Sequence, residues 1–225
     1  MPAKTWWSSA RAGLGAAMIA LPTLAWAGVI KGTLAVPTMT SEARLHPYPG
    51  RASSMSSAAM HPVGLVTDAV VYVDKLPASV TVPPPPTANP ELGQKDQSFV
   101  PRVLAIQKGT LVSFPNHDPI FHNVFSVSPY KRFDLGKYPR GHTRKVRFDK
   151  PGLVNVYCDI HSDMAAFILV LPHHVFTMPA ANGSFTLPDL PAGTYTVKVW
   201  HPDFGELHRE VDVPAHGSVT ADFRY

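Results

Sequence analysis

Proline interrupts this sequence so often that a long helix has almost nowhere to form. The chain holds 24 prolines and 15 glycines among 225 residues, and each proline inside a helix removes a backbone donor and clashes with the preceding turn. Between these breaks lie short apolar and β-branched runs: residues 29–36 (VIKGTLAV), 69–73 (AVVYV), 99–106, 110–114, 123–128, 143–148, 153–158 and 166–171. Short strands at near-regular spacing with Gly/Pro turns predict an all-β sandwich or barrel. The 45% apolar content is enough for a real core and excludes disorder throughout. Two stretches carry no strand signal. Residues 37–62 are rich in Pro, Ser and His and read as a long surface loop, and residues 76–97 contain Pro83-Pro84-Pro85-Pro86, whose natural state is polyproline II.

The first 27 residues read as a secretory signal peptide. Lys4 and Arg11 precede an apolar stretch from 14 to 24, and Ala25-Trp26-Ala27 forms a small-x-small cleavage site. The apolar stretch is shorter than the roughly 20 residues a membrane span needs. Removing the leader lowers the net charge from +4 to +2. The mature chain is therefore expected to be periplasmic, without a membrane span and without the basic excess of a nucleic-acid binder. A single cysteine excludes an intrachain disulfide.

The domain expectation is a signal peptide (1–27), an N-terminal strand and Pro/Ser-rich loop (28–67), one β domain (68–172) and a second, smaller β-sandwich module (173–225). In the last, residues 183–187 and 195–200 alternate, and 210–213 and 219–223 complete it. About four strands are few for a two-sheet sandwich. Strand 29–36 is therefore expected to join this module, with the other domain carried between them.

The residues that carry chemistry are Cys158, His161 and Met164 in Tyr157-Cys158-Asp159-Ile160-His161-Ser162-Asp163-Met164. Their C-x2-H-x2-M spacing puts a thiolate, an imidazole and a thioether in one short loop. A thiolate and two imidazoles in a plane with a weak axial thioether is the blue-copper ligand set. The fourth ligand must be a distant histidine. His122, at the start of a strand, is the best candidate, and His117 is the fallback. A buried cysteine is usually just a small hydrophobe, but a free thiol in an exported protein is exposed to oxidation, and a metal removes that hazard. Zinc fits less well, because methionine is a poor zinc ligand.

With these residues in view the chain resembles a cupredoxin of the plastocyanin and amicyanin type, like proteins labelled methylamine-utilization. The likeness runs through 99–101, 108–110, 114–116, His122-Asn123-Val124 and the 157–164 loop, and covers roughly residues 68–171. It implies a Greek-key sandwich holding one copper ion, with His122, Cys158 and His161 as in-plane ligands and Met164 as axial ligand. It also implies that Asn123 ties the two ligand loops together, although the Ser or Thr it usually meets after the cysteine is here Asp159. The loop exit, Ala165-Ala166, departs from the x-Gly common in the family. Residues 183–203 resemble a transthyretin-like or carboxypeptidase-regulatory module, which implies no activity.

The expectation is a periplasmic type 1 copper protein that transfers single electrons and is not an enzyme. The chain has no His-x-His pair of the kind multicopper oxidases use, and four filled positions leave no place for a substrate. The alternatives are a copper-delivery module and a non-metal secreted β-sandwich that binds a protein or glycan. Lys131, Arg132, Lys137, Arg140, Arg144, Lys145, Arg147 and Lys150 form a basic stripe in an otherwise net acidic chain, suited to steering an acidic redox partner. Met55, Met60 and His61 as a copper-capturing arm, and the pair His173-His174, are weaker candidates.

Overall fold

A computed structural model describes residues 27–37 and 64–225. Nearly all of the expected leader, and the Met55, Met60 and His61 segment, lie outside the described residues. The chain is all-β: among the described residues the helical content is one three-residue 3-10 turn, Val66–Asp68. No helix among them is long and apolar enough to cross a membrane.

One sandwich carries the Cys-His-Met loop. Its larger sheet runs in the order Val103–Gln107, Ala165–Leu171, Gly152–Tyr157, Phe125–Ser128, Lys131–Asp134. Val103–Gln107 and Ala165–Leu171 pair in parallel and the other neighbours are antiparallel. Opposite lies the antiparallel pair Thr110–Pro115 and Thr143–Phe148, extended by the hairpin Gly93–Lys95 and Ser98–Val100 through a bridge from Gln94 to Asn116. Alternation decides what enters the core. Val146 and Phe148 point in while Lys145 and Arg147 stay out, and Phe99, Phe114, Val154, Val156 and Ile168 meet them in one cluster.

The second sandwich is built around Ala27–Ala35. This strand pairs antiparallel with Ser184–Thr186 and Leu190–Pro191, and parallel with Gly217–Thr220 and Phe223–Arg224. Glycine is required at position 32, because a Cβ there would run into the Ala221 carbonyl and stand 2.9 Å from the Phe185 ring. The facing sheet runs Phe176–Thr177, Val70–Val73, Gly193–His201, Gly205–Val213. The core between them holds Ile30, Leu34, Val71, Phe185, Val197, Val199 and Phe223.

Strand Val70–Val73, expected in the 68–172 unit, hydrogen-bonds to Gly193–His201 and Phe176–Thr177 instead. Its apolar run without alternation has a physical cause: all four residues are buried. Val71 and Val73 face the second core, whereas Val70 and Tyr72 pack on Val103, Leu169 and Leu171 of the first sandwich. The two sandwiches thus share an apolar seam. Arg102 closes it at one end, donating to both carboxylate oxygens of Asp203 at 2.8 and 2.6 Å and to Asp68 at 3.0 Å.

The proline segment is a strap rather than a strand for most of its length. Gln107 Nε2 donates to the Pro83 carbonyl at 2.7 Å. Its end departs from expectation, because Gly93–Lys95 is a strand and turns into Ser98–Val100 through Asp96 and Gln97, at φ 53° and 54°. A tight hairpin of this kind needs positive φ, which normally shows in sequence as Asn-Gly or Asp-Gly.

Candidate metal centre

The Cys158–Met164 loop bridges two antiparallel strands, Gly152–Tyr157 and Ala165–Leu171. Its ends are drawn together by backbone bonds: the Cys158 N–H donates to the Met164 carbonyl at 3.3 Å, and the Met164 N–H to the His161 carbonyl at 3.1 Å. His122 arrives from a different segment, outside the strands. It exchanges backbone bonds with Tyr138 just before Phe125–Ser128, whose Phe125 pairs with Tyr157. That pairing carries His122 across 36 residues of sequence to the thiol.

Three donor atoms converge. Cys158 Sγ lies 3.9 Å from His122 Nδ1 and 4.0 Å from His161 Nδ1, and the two Nδ1 atoms are 3.1 Å apart. The point equidistant from all three lies about 2.1 Å from each, within the bond lengths that imidazole nitrogen and thiolate sulfur make to a first-row metal. His122 is fully buried and Cys158 nearly so, while His161 is half-buried. Burial and the neighbouring His122 push the His161 pKa down against the pull of Asp118, favouring the neutral ring whose lone pair a metal needs. Two nitrogen donors and one sulfur donor converge closely enough to hold a metal ion.

Met164 is fully buried and packs in the same core as Cys158. His117 is exposed and lines an open polar hollow with Lys95, Asp96, Asp118, Pro119 and Arg140, outside the ligand cluster. His173, whose Nδ1 accepts the Val175 N–H at 3.3 Å, is likewise no member of it. Asn123 does not make the expected tie to the loop at Asp159. Its Oδ1 accepts the Val124 N–H at 2.7 Å, and the Asp134 carboxyl is held below its ordinary range by the Gly136 N–H and then by the Asn123 side chain.

Sequence reasoning missed Asp118. Its Oδ2 lies 2.7 Å from His122 Nε2, on the ring edge away from the thiol. Burial opposes ionisation of this carboxyl, but the Gln97 N–H, His122 and the Asp96 N–H outweigh it and hold the pKa down. A carboxylate four residues before a ligand histidine was the available signal.

Solved structures of known proteins are similar to part of this chain. A copper-containing nitrite reductase from Thermus scotoductus SA-01 is 28% identical over 37% of this chain, at a TM-score of 0.36, and the match spans only 22% of that protein's length. A purple cupredoxin from Nitrosopumilus maritimus is 21% identical over 37% of this chain and 100% of its own (TM-score 0.34). Amicyanin from Paracoccus versutus is 18% identical over 45% of this chain and 97% of its own (TM-score 0.36). No family model and no curated protein matches the chain.

Proposed function

We propose that this chain is an exported, periplasmic single-electron carrier in which His122 Nδ1, Cys158 Sγ, His161 Nδ1 and the Met164 sulfur would hold one copper ion. The observation that carries the proposal is the triangle of two imidazole nitrogens and one sulfur, whose equidistant point fits a bound metal on all three sides. A thiolate with two imidazoles is a soft, trigonal set that suits copper in both oxidation states better than it suits hard cations. Copper would supply the Cu(I)/Cu(II) couple. The chain's part is to keep the donors in one arrangement: His122 locked in the core, and the Cys-His-Met loop tied at both ends. The part-exposed His161 is the electron port; Ile160 beside it in sequence, and Ile120 and Phe121 just before His122, are exposed apolar residues. With Met164 as fourth donor the protein would fill all four positions and leave none for a substrate, so this reading is of an electron carrier and not an enzyme.

The test is copper titration of the purified protein with a visible spectrum, followed by voltammetry. An intense thiolate-to-copper band and a reversible one-electron wave are expected. His122→Ala should lose the band entirely, whereas His117→Ala should leave it within about 10% of wild type, because His117 lies outside the donor triangle. The reverse pattern would exchange the two roles.

The partner in this reading is an acidic redox protein. Arg132, Lys137, Arg140, Arg144, Lys145, Arg147 and Lys150 are exposed and Lys131 half-exposed. Neutralising Lys131, Arg132, Arg144 and Lys145 together should slow electron transfer to an acidic partner about tenfold at low ionic strength. The difference should vanish near 1 M salt, where the screening length is about 3 Å. Stopped-flow rates across a salt series measure it, and a rate unchanged at low salt would leave the stripe as a merely solvated face.

A further inference from the structure

We infer that Asp118 is the positioning residue of this centre: its carboxylate fixes His122 in the Nε2–H tautomer and biases a bound copper towards Cu(II). The second half rests on the copper reading above; the first does not. A neutral imidazole has one N–H and one lone pair, and an ionised carboxylate can only accept. With Asp118 Oδ2 at 2.7 Å from Nε2, the proton belongs on Nε2. The lone pair then sits on Nδ1, the atom that faces Cys158 and His161.

The carboxylate is itself held in a built cradle. Its Oδ1 accepts the Asp96 N–H at 2.6 Å and its Oδ2 the Gln97 N–H at 2.9 Å. Both donors lie in the left-handed region that residues other than glycine seldom adopt. From below, Asn116 Oδ1 accepts the Asp118 N–H at 2.9 Å, while the Asn116 amide donates to the Ile120 and Tyr138 carbonyls. Tyr138 is the backbone partner of His122, so cradle and ligand share one frame. Two consecutive residues at positive φ aim their N–H groups at the carboxylate of Asp118, whose side chain is only 7% exposed. That carboxylate gives a third acceptor position to a ligand ring. Hydrogen bonding of a ligating histidine to a carboxylate orients the ring and raises its basicity. Added donor strength and nearby negative charge stabilise the more highly charged ion.

Nitrogen-15 NMR on the metal-free wild-type protein should find the His122 proton on Nε2. In Asp118→Asn and Asp118→Ala, Cu(II) affinity should fall about 10–100-fold. Cu(I) affinity should fall about tenfold less, which is a rise of about 59 mV in potential. A merely structural aspartate would lower the melting temperature of both variants and leave the Cu(II)/Cu(I) affinity ratio within twofold, and that result overturns the bias. A wild-type His122 proton on Nδ1 overturns the positioning role, and needs no variant to fold. Wild-type protein that takes up no copper would overturn the copper reading and the bias with it, while the tautomer still decides the role of Asp118.

Discussion

Cys158→Ser should leave a folded protein that gives no intense visible band with Cu(II) and binds it more than about 100-fold more weakly, since losing a hydrogen-bond partner outside the ligand set already costs 10–100-fold. Cys158 is the sole cysteine, so no other side chain can supply a thiolate. Serine is close in volume, but its hydroxyl is a hard donor that stays protonated at neutral pH. Cys158 packs in the core with Val156, Met164 and Ala166, and beyond packing its sulfur has only the long contacts of 3.9 and 4.0 Å to His122 and His161 Nδ1. Burying a hydroxyl costs about 1–3 kcal/mol even if neither histidine nitrogen reaches it, so the apo-protein should melt a few degrees lower and no more. Parallel copper titrations and thermal melts of wild type and variant check both halves. A blue Cys158→Ser protein would remove the thiolate from the site.

Arg102→Ala should destabilise the fold by about 3–5 kcal/mol at neutral pH, the range found when one partner of a buried ion pair is deleted. The guanidinium is 15% exposed and serves two carboxylates, Asp203 at 15% and Asp68 at 10%. It also lies 5.7 Å from the ring centre of Phe167, its neighbour within the first sandwich. Its removal leaves two half-sealed acids with little to offset their charge. Burial alone would raise the Asp203 carboxyl, yet Arg102 and the Gly64 N–H hold it below the ordinary range. For Asp68 burial prevails and the pKa is raised even with Arg102 in place. The pH dependence follows from these signs. A lowered folded pKa at Asp203 stabilises wild type above the unfolded value near 3.8, and that contribution fades as pH falls below it. In the variant the unpaired acids take up protons at higher pH, which relieves their burial. The gap between the two proteins should therefore narrow from pH 7 to pH 4.5. Urea unfolding at the two pH values measures it. A gap under 1 kcal/mol at pH 7, or one that acid does not narrow, would show that Arg102 does not hold the seam.

The ligand loop was legible because its chemistry is local. C-x2-H-x2-M spacing between two β-branched runs places thiolate, imidazole and thioether in one turn wherever the strands go. Most strands were legible for the same reason: alternation in 143–148 and 195–200 is a property of neighbours in sequence. The hairpin from Gly93 to Val100 was not, because Asp96 and Gln97 take up positive φ without the glycine that usually announces it. With the hairpin went the cradle of Asp118, and so the partner of His122.

What the sequence alone determined is the all-β class, most of the strand segments and the loop that brings Cys158 and His161 together. Tertiary structure alone decided which sheet each strand joins. The AVVYV run states that a strand is buried on both faces, but a strand of that kind serves equally at the centre of either sandwich. Only the register of Val70–Val73 with 197–200 puts it in the second. The approach of His122 to Cys158 was settled in the same way, by Phe125 pairing with Tyr157. Side-chain period is written in adjacent residues, whereas strand partnership depends on which distant surfaces exclude water together.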